Sequence, residues 1–180
     1  MQKICTDENV ITDIVGANVR TLIVEGDAAF ENSSAFASTI SAIDARYVST
    51  ADIHSDGALT ILTGAGNDLI TLDSALTDSS AISMGAGATD NFHMMNSTGG
   101  AQAELIAIET IRTLDAADTN IDMAKSTATP EFNIAGGSTS ITLSNLINGS
   151  SVRTSDLSTS GDISIGYRDA ATYAALVVDL

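Results

Sequence analysis

Two glycine segments, Gly64-Ala65-Gly66-Asn67-Asp68 and Gly85-Ala86-Gly87-Ala88-Thr89-Asp90, begin 85 − 64 = 21 residues apart, each between short aliphatic runs. Glycine and aspartate at a fixed interval break helices and make turns, so the chain must reverse direction often and regularly. Runs such as Thr21-Leu22-Ile23-Val24 and Leu59-Thr60-Ile61-Leu62 are rich in β-branched residues and bounded by Ser, Thr, Asp, Asn and Gly, which reads as short strands between turns. Strands are expected over residues 10–15, 19–25, 39–43, 58–62, 69–72, 81–84, 91–95, 105–113, 132–134, 140–143, 162–166 and 175–180. Helical periodicity is nearly absent; residues 33–41 and 169–176 are the two candidate helices, with Asp169 as a cap for the second. An antiparallel sandwich would alternate polar and apolar residues over longer runs and carry hairpin dipeptides, of which Asn148-Gly149 is the one example. The expected fold is all-β, a parallel β-solenoid of the β-helix or β-roll kind, in which each coil buries its apolar face against its neighbours.

A weak internal repeat supports stacking. Ala51-Asp52-Ile53 and Gly57-Ala58-Leu59-Thr60-Ile61 match Ser155-Asp156-Leu157 and Gly161-Asp162-Ile163-Ser164-Ile165 at an offset of 161 − 57 = 104 residues. Two modules of one solenoid are expected, residues 1–104 with the glycine-aspartate turns and residues 105–180 as a degenerate copy. In the second module Arg168 and Asp169 stand where the first has its glycines, so that module is expected to lack the site.

Seven aromatic residues and no tryptophan leave the core to aliphatic side chains. Seven basic against 23 acidic residues give a formal charge of −16, which repels nucleic acid and anionic membranes and makes cations the natural partners. No run reaches the roughly 18 apolar residues of a membrane helix. Cys5 is the lone cysteine, so neither an internal disulfide nor a paired-cysteine zinc site is available. Residues 1–8 lack the basic start and apolar stretch of a secretory leader, and residues 7–15 read like an interior strand, as expected of a fragment.

The most specific segment is Thr63-Gly64-Ala65-Gly66-Asn67-Asp68-Leu69-Ile70-Thr71, which fits the nonapeptide G-G-x-G-x-D-x-U-x except at Thr63. Glycines permit turns that point carbonyl oxygens inward, and the aspartate adds the carboxylate that a hard, oxygen-seeking Ca²⁺ requires. Stacking the second turn on the first would gather about six oxygens around one ion. The candidate metal residues are Gly64, Gly66, Asp68, Gly85, Gly87 and Asp90. Asp68 is expected to be the principal ligand, because the residue inserted before Asp90 displaces that carboxylate from the motif's spacing. The competing reading makes the glycines plain solenoid corners, with Asp68 and Asp90 capping them through side-chain to backbone hydrogen bonds. Asp115, Asp118, Asn120 and Asp122 form a further acidic cluster, but Met123 replaces the glycine of a calcium loop, and a surface loop is expected there.

Catalytic patterns are missing. His54 and His93 are the two histidines and sit in no zinc or nucleophile motif; Gly-Ala-Gly is followed by no phosphate-binding lysine. Seven scattered aromatic residues scarcely supply the platforms of a sugar-cleaving cleft.

Through residues 59–72, and through the phrases at 20–28 and 40–45, the chain resembles the calcium-binding repeats-in-toxin type of surface-layer protein of Gram-negative bacteria. The resemblance spans roughly residues 10–125. It implies a secreted, non-catalytic building block at the cell surface that self-associates into a lattice, with calcium ordering turns and contacts. Through other regions it implies contact with cell-surface polysaccharide or lipopolysaccharide. The chain departs from the family pattern in having no uninterrupted array of nonapeptides. An adhesin or other type I-secreted exoprotein is therefore the runner-up, and a solenoid polysaccharide-cleaving enzyme stands third. In such proteins export is read from the C-terminus, and residues 174–180 are compatible with that signal or with a strand cut at a boundary.

Overall fold

The computed structural model describes residues 9–11, 14, 18–57, 60–94, 100–113, 119–134, 140–154, 162–169 and 176–178. Those residues form an all-β parallel solenoid with three sheets. One face is a nine-stranded parallel sheet of β1 (Asn9–Ile11), β3 (Phe30–Asn32), β5 (Ala51–Ser55), β7 (Leu69–Leu72), β9 (Asn91–Met94), β11 (Thr110–Thr113), β13 (Glu131–Ile134), β15 (Ser151–Thr154) and β17 (Leu176–Val178). The even-numbered strands make the other face. β2 (Thr21–Glu25), β4 (Ala42–Tyr47), β6 (Thr60–Thr63), β8 (Ala81–Ser83) and β10 (Glu104–Ile106) form one sheet, and β12 (Thr119–Asp122), β14 (Ile141–Leu146) and β16 (Ile163–Tyr167) form the third.

Coil length follows from register. Phe30 pairs with Ala51, 21 residues on; Asp52 pairs with Leu69, 17 on; Leu69 pairs with Asn91, 22 on. Most strands carry one or two inward side chains, β5 and β14 three, and these stack into columns. In the nine-stranded sheet the inward column reads Ile53, Ile70, Phe92, Ile111, Phe132 and Val152, all without solvent exposure. Opposite it, Ile43, Ile61, Ile82 and Leu105 form the matching column of the second sheet. Burying one such side chain contributes about 1.5–3 kcal/mol, so the columns hold the coils together, and the expectation of an aliphatic core is corrected, since Phe30, Phe36, Phe92 and Phe132 are all buried in it.

The sheet opposite the continuous face changes partway along. β10 does not pair with β12; a 3-10 turn at Met123–Lys125 follows β12, and residues just beyond it continue the ladder onto β10. Ser126 Oγ accepts from Leu105 N at 3.1 Å and donates to Ala103 O at 2.9 Å, while Thr127 N donates to Leu105 O at 3.0 Å. The 104-residue offset maps Thr60-Ile61 of the second sheet onto Ser164-Ile165 of the third, so equivalent phrases fill equivalent faces. The nine-stranded sheet passes the 104/105 boundary between the two expected modules without a break.

Several local expectations are corrected. Residues 33–41 are not helical: Asn32 inserts its side chain into the ladder, accepting from His54 N at 2.8 Å and donating to His54 O at 2.6 Å. The chain then turns a corner that buries Phe36 and Ile40, with the Phe36 ring stacked 6.3 Å from that of Phe30. Residues 105–113 are two strands separated by a corner at Ala107, whose φ of 53° no strand tolerates. Asn120 and Asp122 lie on β12, so that half of the expected acidic loop is strand; residues 114–118 lie outside the described residues. Residues 170–175 of the second candidate helix also lie outside them, and Leu176 opens β17.

Candidate cation site

The corners that lead from the second sheet into the nine-stranded one place backbone against backbone. A Cβ added to Gly64 would collide with Arg46 O, and one on Gly66 with Ser49 O. One on Gly85 would strike Gly64 O, and one on Gly87 would strike both Gly66 O and Asp90 Oδ1. The two Gly-Ala-Gly corners therefore stack glycine on glycine, and Ala86 N donates to Gly64 O at 3.1 Å across the stack. Gly85, at φ +80°, also occupies the left-handed region open to glycine at little cost.

Asp68 and Asp90 immediately precede β7 and β9, and the Leu69–Asn91 pairing puts them at the same step of adjacent coils. Each carboxylate reaches back to the coil before it. Ala51 N donates to Asp68 Oδ1 at 2.7 Å, Asp68 N donates to Asp90 Oδ1 at 2.8 Å, and Asp90 N donates to Glu109 Oε2 at 2.9 Å. The result is a row of three acidic residues in consecutive coils, each side chain standing in for a carbonyl that the ladder lacks at the strand entrance. The corner-capping role weighed against a metal site is thus present in the hydrogen bonds themselves.

Capping uses only one oxygen of each buried aspartate. Asp68 is 2% exposed and Asp90 0%, and the Oδ2 atom of each is buried without a hydrogen-bond partner. A charged oxygen held out of water with no partner is costly unless a cation or proton meets it. Burial pushes the Asp90 carboxyl above the usual range, and the charges of Asp68 and Glu109 add to the effect against the hydrogen bonds from Asp68 and Gly87. Among the described residues no Lys, Arg or His pairs with any of the three carboxylates.

All the donors are oxygens, the set that a hard cation prefers. Among the described residues no three His, Cys, Asp or Glu side chains converge as a metal site. An ion here would therefore draw on glycine-corner carbonyls and water besides one or two carboxylates.

Sequence reasoning placed Asp90 out of position, and the structure corrects this. The extra residue is absorbed inside the corner, where Asn67 Oδ1 accepts from both Ala88 N and Thr89 N at 3.2 Å, leaving Asp90 level with Asp68. Gly64, Gly66, Gly85 and Gly87 are where the motif put them, two stacked pairs beside that row. Glu109 was missed: it follows no glycine turn, and its one signal is its place immediately before the Thr110-Ile111-Arg112-Thr113 strand.

The histidines lie elsewhere. His54 and His93 are on the outer face of the nine-stranded sheet, two strands apart with Thr71 between them, and His54 Nε2 is 2.8 Å from Asp73 Oδ2. Burial and the charge of Arg112 push the His93 imidazole below its ordinary range. A second polar cluster surrounds Asp122, which accepts from Asn145 Nδ2 at 2.6 Å, Gln102 Nε2 at 2.8 Å and Ala124 N at 2.9 Å. Comparison with family models, curated proteins and solved structures returns no match to this chain.

Proposed function

We propose that the chain is a non-catalytic structural unit of a secreted bacterial surface layer, whose copies associate into a lattice and whose stacked glycine corners are ordered by calcium. The observation that carries this reading is the pair of buried, unpartnered Oδ2 atoms on Asp68 and Asp90, beside two glycine corners in backbone contact. Ca²⁺ supplies the counter-charge those oxygens lack and accepts carbonyls and water in the rest of its shell. A regular solenoid whose corners tighten on an ion is stiff outside the cell and loose where calcium is scarce, which suits a wall material that must pass an export channel before it sets.

Calcium titration with parallel electron microscopy tests the reading. Extracellular sites commonly bind with Kd of about 10⁻⁴ to 10⁻³ M, so millimolar calcium should raise the melting temperature and produce ordered sheets. At about 100 times Kd the added stability is about 2.7 kcal/mol, and Asp68→Ala should remove most of it. Full thermal stabilisation of Asp68→Ala, or no heat of calcium binding by the unaltered chain, would reduce the corners to plain turns. Calcium binding without ordered sheets would favour an adhesin or other exported module over a lattice.

A further inference from the structure

The outer face of the nine-stranded sheet sorts its charges by column. Residues two apart on a strand share that face, and the register stacks them into two rows along the solenoid. The first row holds Glu31, Asp52 and Glu131, on β3, β5 and β13. The second holds His54, His93, Arg112 and Arg153, on β5, β9, β11 and β15. Among the described residues the first row carries no base and the second no acid; Asp73, just past β7, meets His54 at the margin of the second. Arg153 reaches Glu131 at 3.5 Å, whereas Arg112 is exposed and stands in no ion pair among the described residues. Two of the chain's seven basic residues and both its histidines thus lie in one row of a molecule with formal charge −16.

We propose that this face docks a second copy of the chain, face to face and with the two solenoid axes parallel. A two-fold axis running along the solenoid exchanges the rows, so each copy's acidic row lies over its partner's basic one, a self-complementary contact. Asp52 then meets the partner's His54. Glu131 lies over the partner's Asn133, with the partner's Arg112 and the partner's Arg153 one strand, about 4.8 Å, to either side. Antiparallel axes would set basic row on basic row, where like charges repel. Nine strands about 4.8 Å apart and about four residues wide give a face of about 500 Å² per copy, below the roughly 800 Å² of a standard interface, so this contact alone is weak. The inference rests on the reading of the chain as self-associating, names one contact of that assembly and makes no use of the calcium corners.

Sedimentation equilibrium of the whole chain, in EDTA and again in millimolar CaCl₂, tests the contact. At about 0.15 M NaCl the screening length is about 8 Å, which removes long-range repulsion between the acidic copies and spares charges in contact. A monomer–dimer equilibrium is expected below about 1 mM chain, weaker at about 1 M NaCl. Arg112→Glu should raise the dimer Kd about tenfold or more. Glu131→Arg should raise it as well; because that change makes the chain less acidic, net repulsion is not the cause. The double variant exchanges the two charges at unaltered net charge and should recover most of the affinity. Each variant should keep a β-type circular dichroism spectrum, and if Arg112→Glu does not fold, Arg112→Gln takes its place. A monomer in both media, or variants with an unaltered Kd, overturns the contact. Calcium-ordered sheets formed equally well by Arg112→Glu would overturn it too while leaving the lattice reading standing. A dimer in EDTA, from a chain that binds no calcium, would keep the contact and sink the calcium corners. A monomer that binds polygalacturonate through Arg112 would replace the second copy by an acidic polysaccharide.

Discussion

Single side chains in this solenoid often do the work of missing backbone. Asn32 completes the ladder at His54 with an amide that both gives and takes a hydrogen bond, and Asp68, Asp90 and Glu109 each accept an amide from the coil before. Asp122 is the polar hub of the third sheet. Partial burial alone would raise its carboxyl, but the hydrogen bonds from Asn145, Gln102 and Ala124 and the charge of Arg168 outweigh it and leave the group below its ordinary value. A carboxyl depressed in the folded state stabilises the fold above its unfolded pKa of 3.8, and that contribution is lost as the pH falls through and below this value. Asp90 and Asp52, whose carboxyls burial pushes up, contribute with the opposite sign, so the readout is the difference between the unaltered chain and Asp122→Asn: in urea unfolding it should be about 1–3 kcal/mol at neutral pH and shrink as the pH falls below 3.8. No difference at neutral pH would mean that the cluster contributes nothing to folding.

Among the elements, the corners are more demanding than the strands. Gly85 combines a φ of +80° with a carbonyl oxygen where a Cβ would stand, whereas Gly149 has φ +104° but only Thr129 Cβ nearby, at 3.9 Å. Gly85→Ala should thus cost both backbone strain and displacement of the coil below, about 2–4 kcal/mol, and Gly149→Ala only the strain, about 1–2 kcal/mol. Equal losses in thermal unfolding would show that the glycine stack is not under steric constraint. β7, β8 and β9 were legible because their short apolar runs are bounded by turn residues, Asp68 and Asp73 around the first, Ser80 and Gly85 around the second, Asp90 and Asn96 around the third. β3 and β5 were not, since Phe30-Glu31-Asn32 and Ala51-Asp52-Ile53-His54-Ser55 carry one strong β-former each and take their inward positions from neighbouring coils. The glycine corners and Asp68 could be read from spacing. Glu109 could not, because its place in the row is set by the pairing of Thr110 with Asn91, a contact 19 residues distant in the chain.

At the scale of the whole molecule, the continuous nine-stranded sheet is the frame, and the opposite face is free to change from one sheet to another after β10. Stacked coils bury their columns only against immediate neighbours, so stability accumulates coil by coil. This arrangement also dictates how the body answers a mechanical load. Every ladder hydrogen bond lies roughly along the solenoid axis, so tension applied through the two chain ends loads one strand pair at a time. The molecule should then unzip, with repeated low-force ruptures in single-molecule stretching. A coil of about 20 residues would release about 70 Å of chain at each step. One large rupture releasing the whole length at once would contradict it. If calcium binds across the glycine corners, the coils around Asp68 and Asp90 should be the last to yield, so the tear would stop midway along the rod.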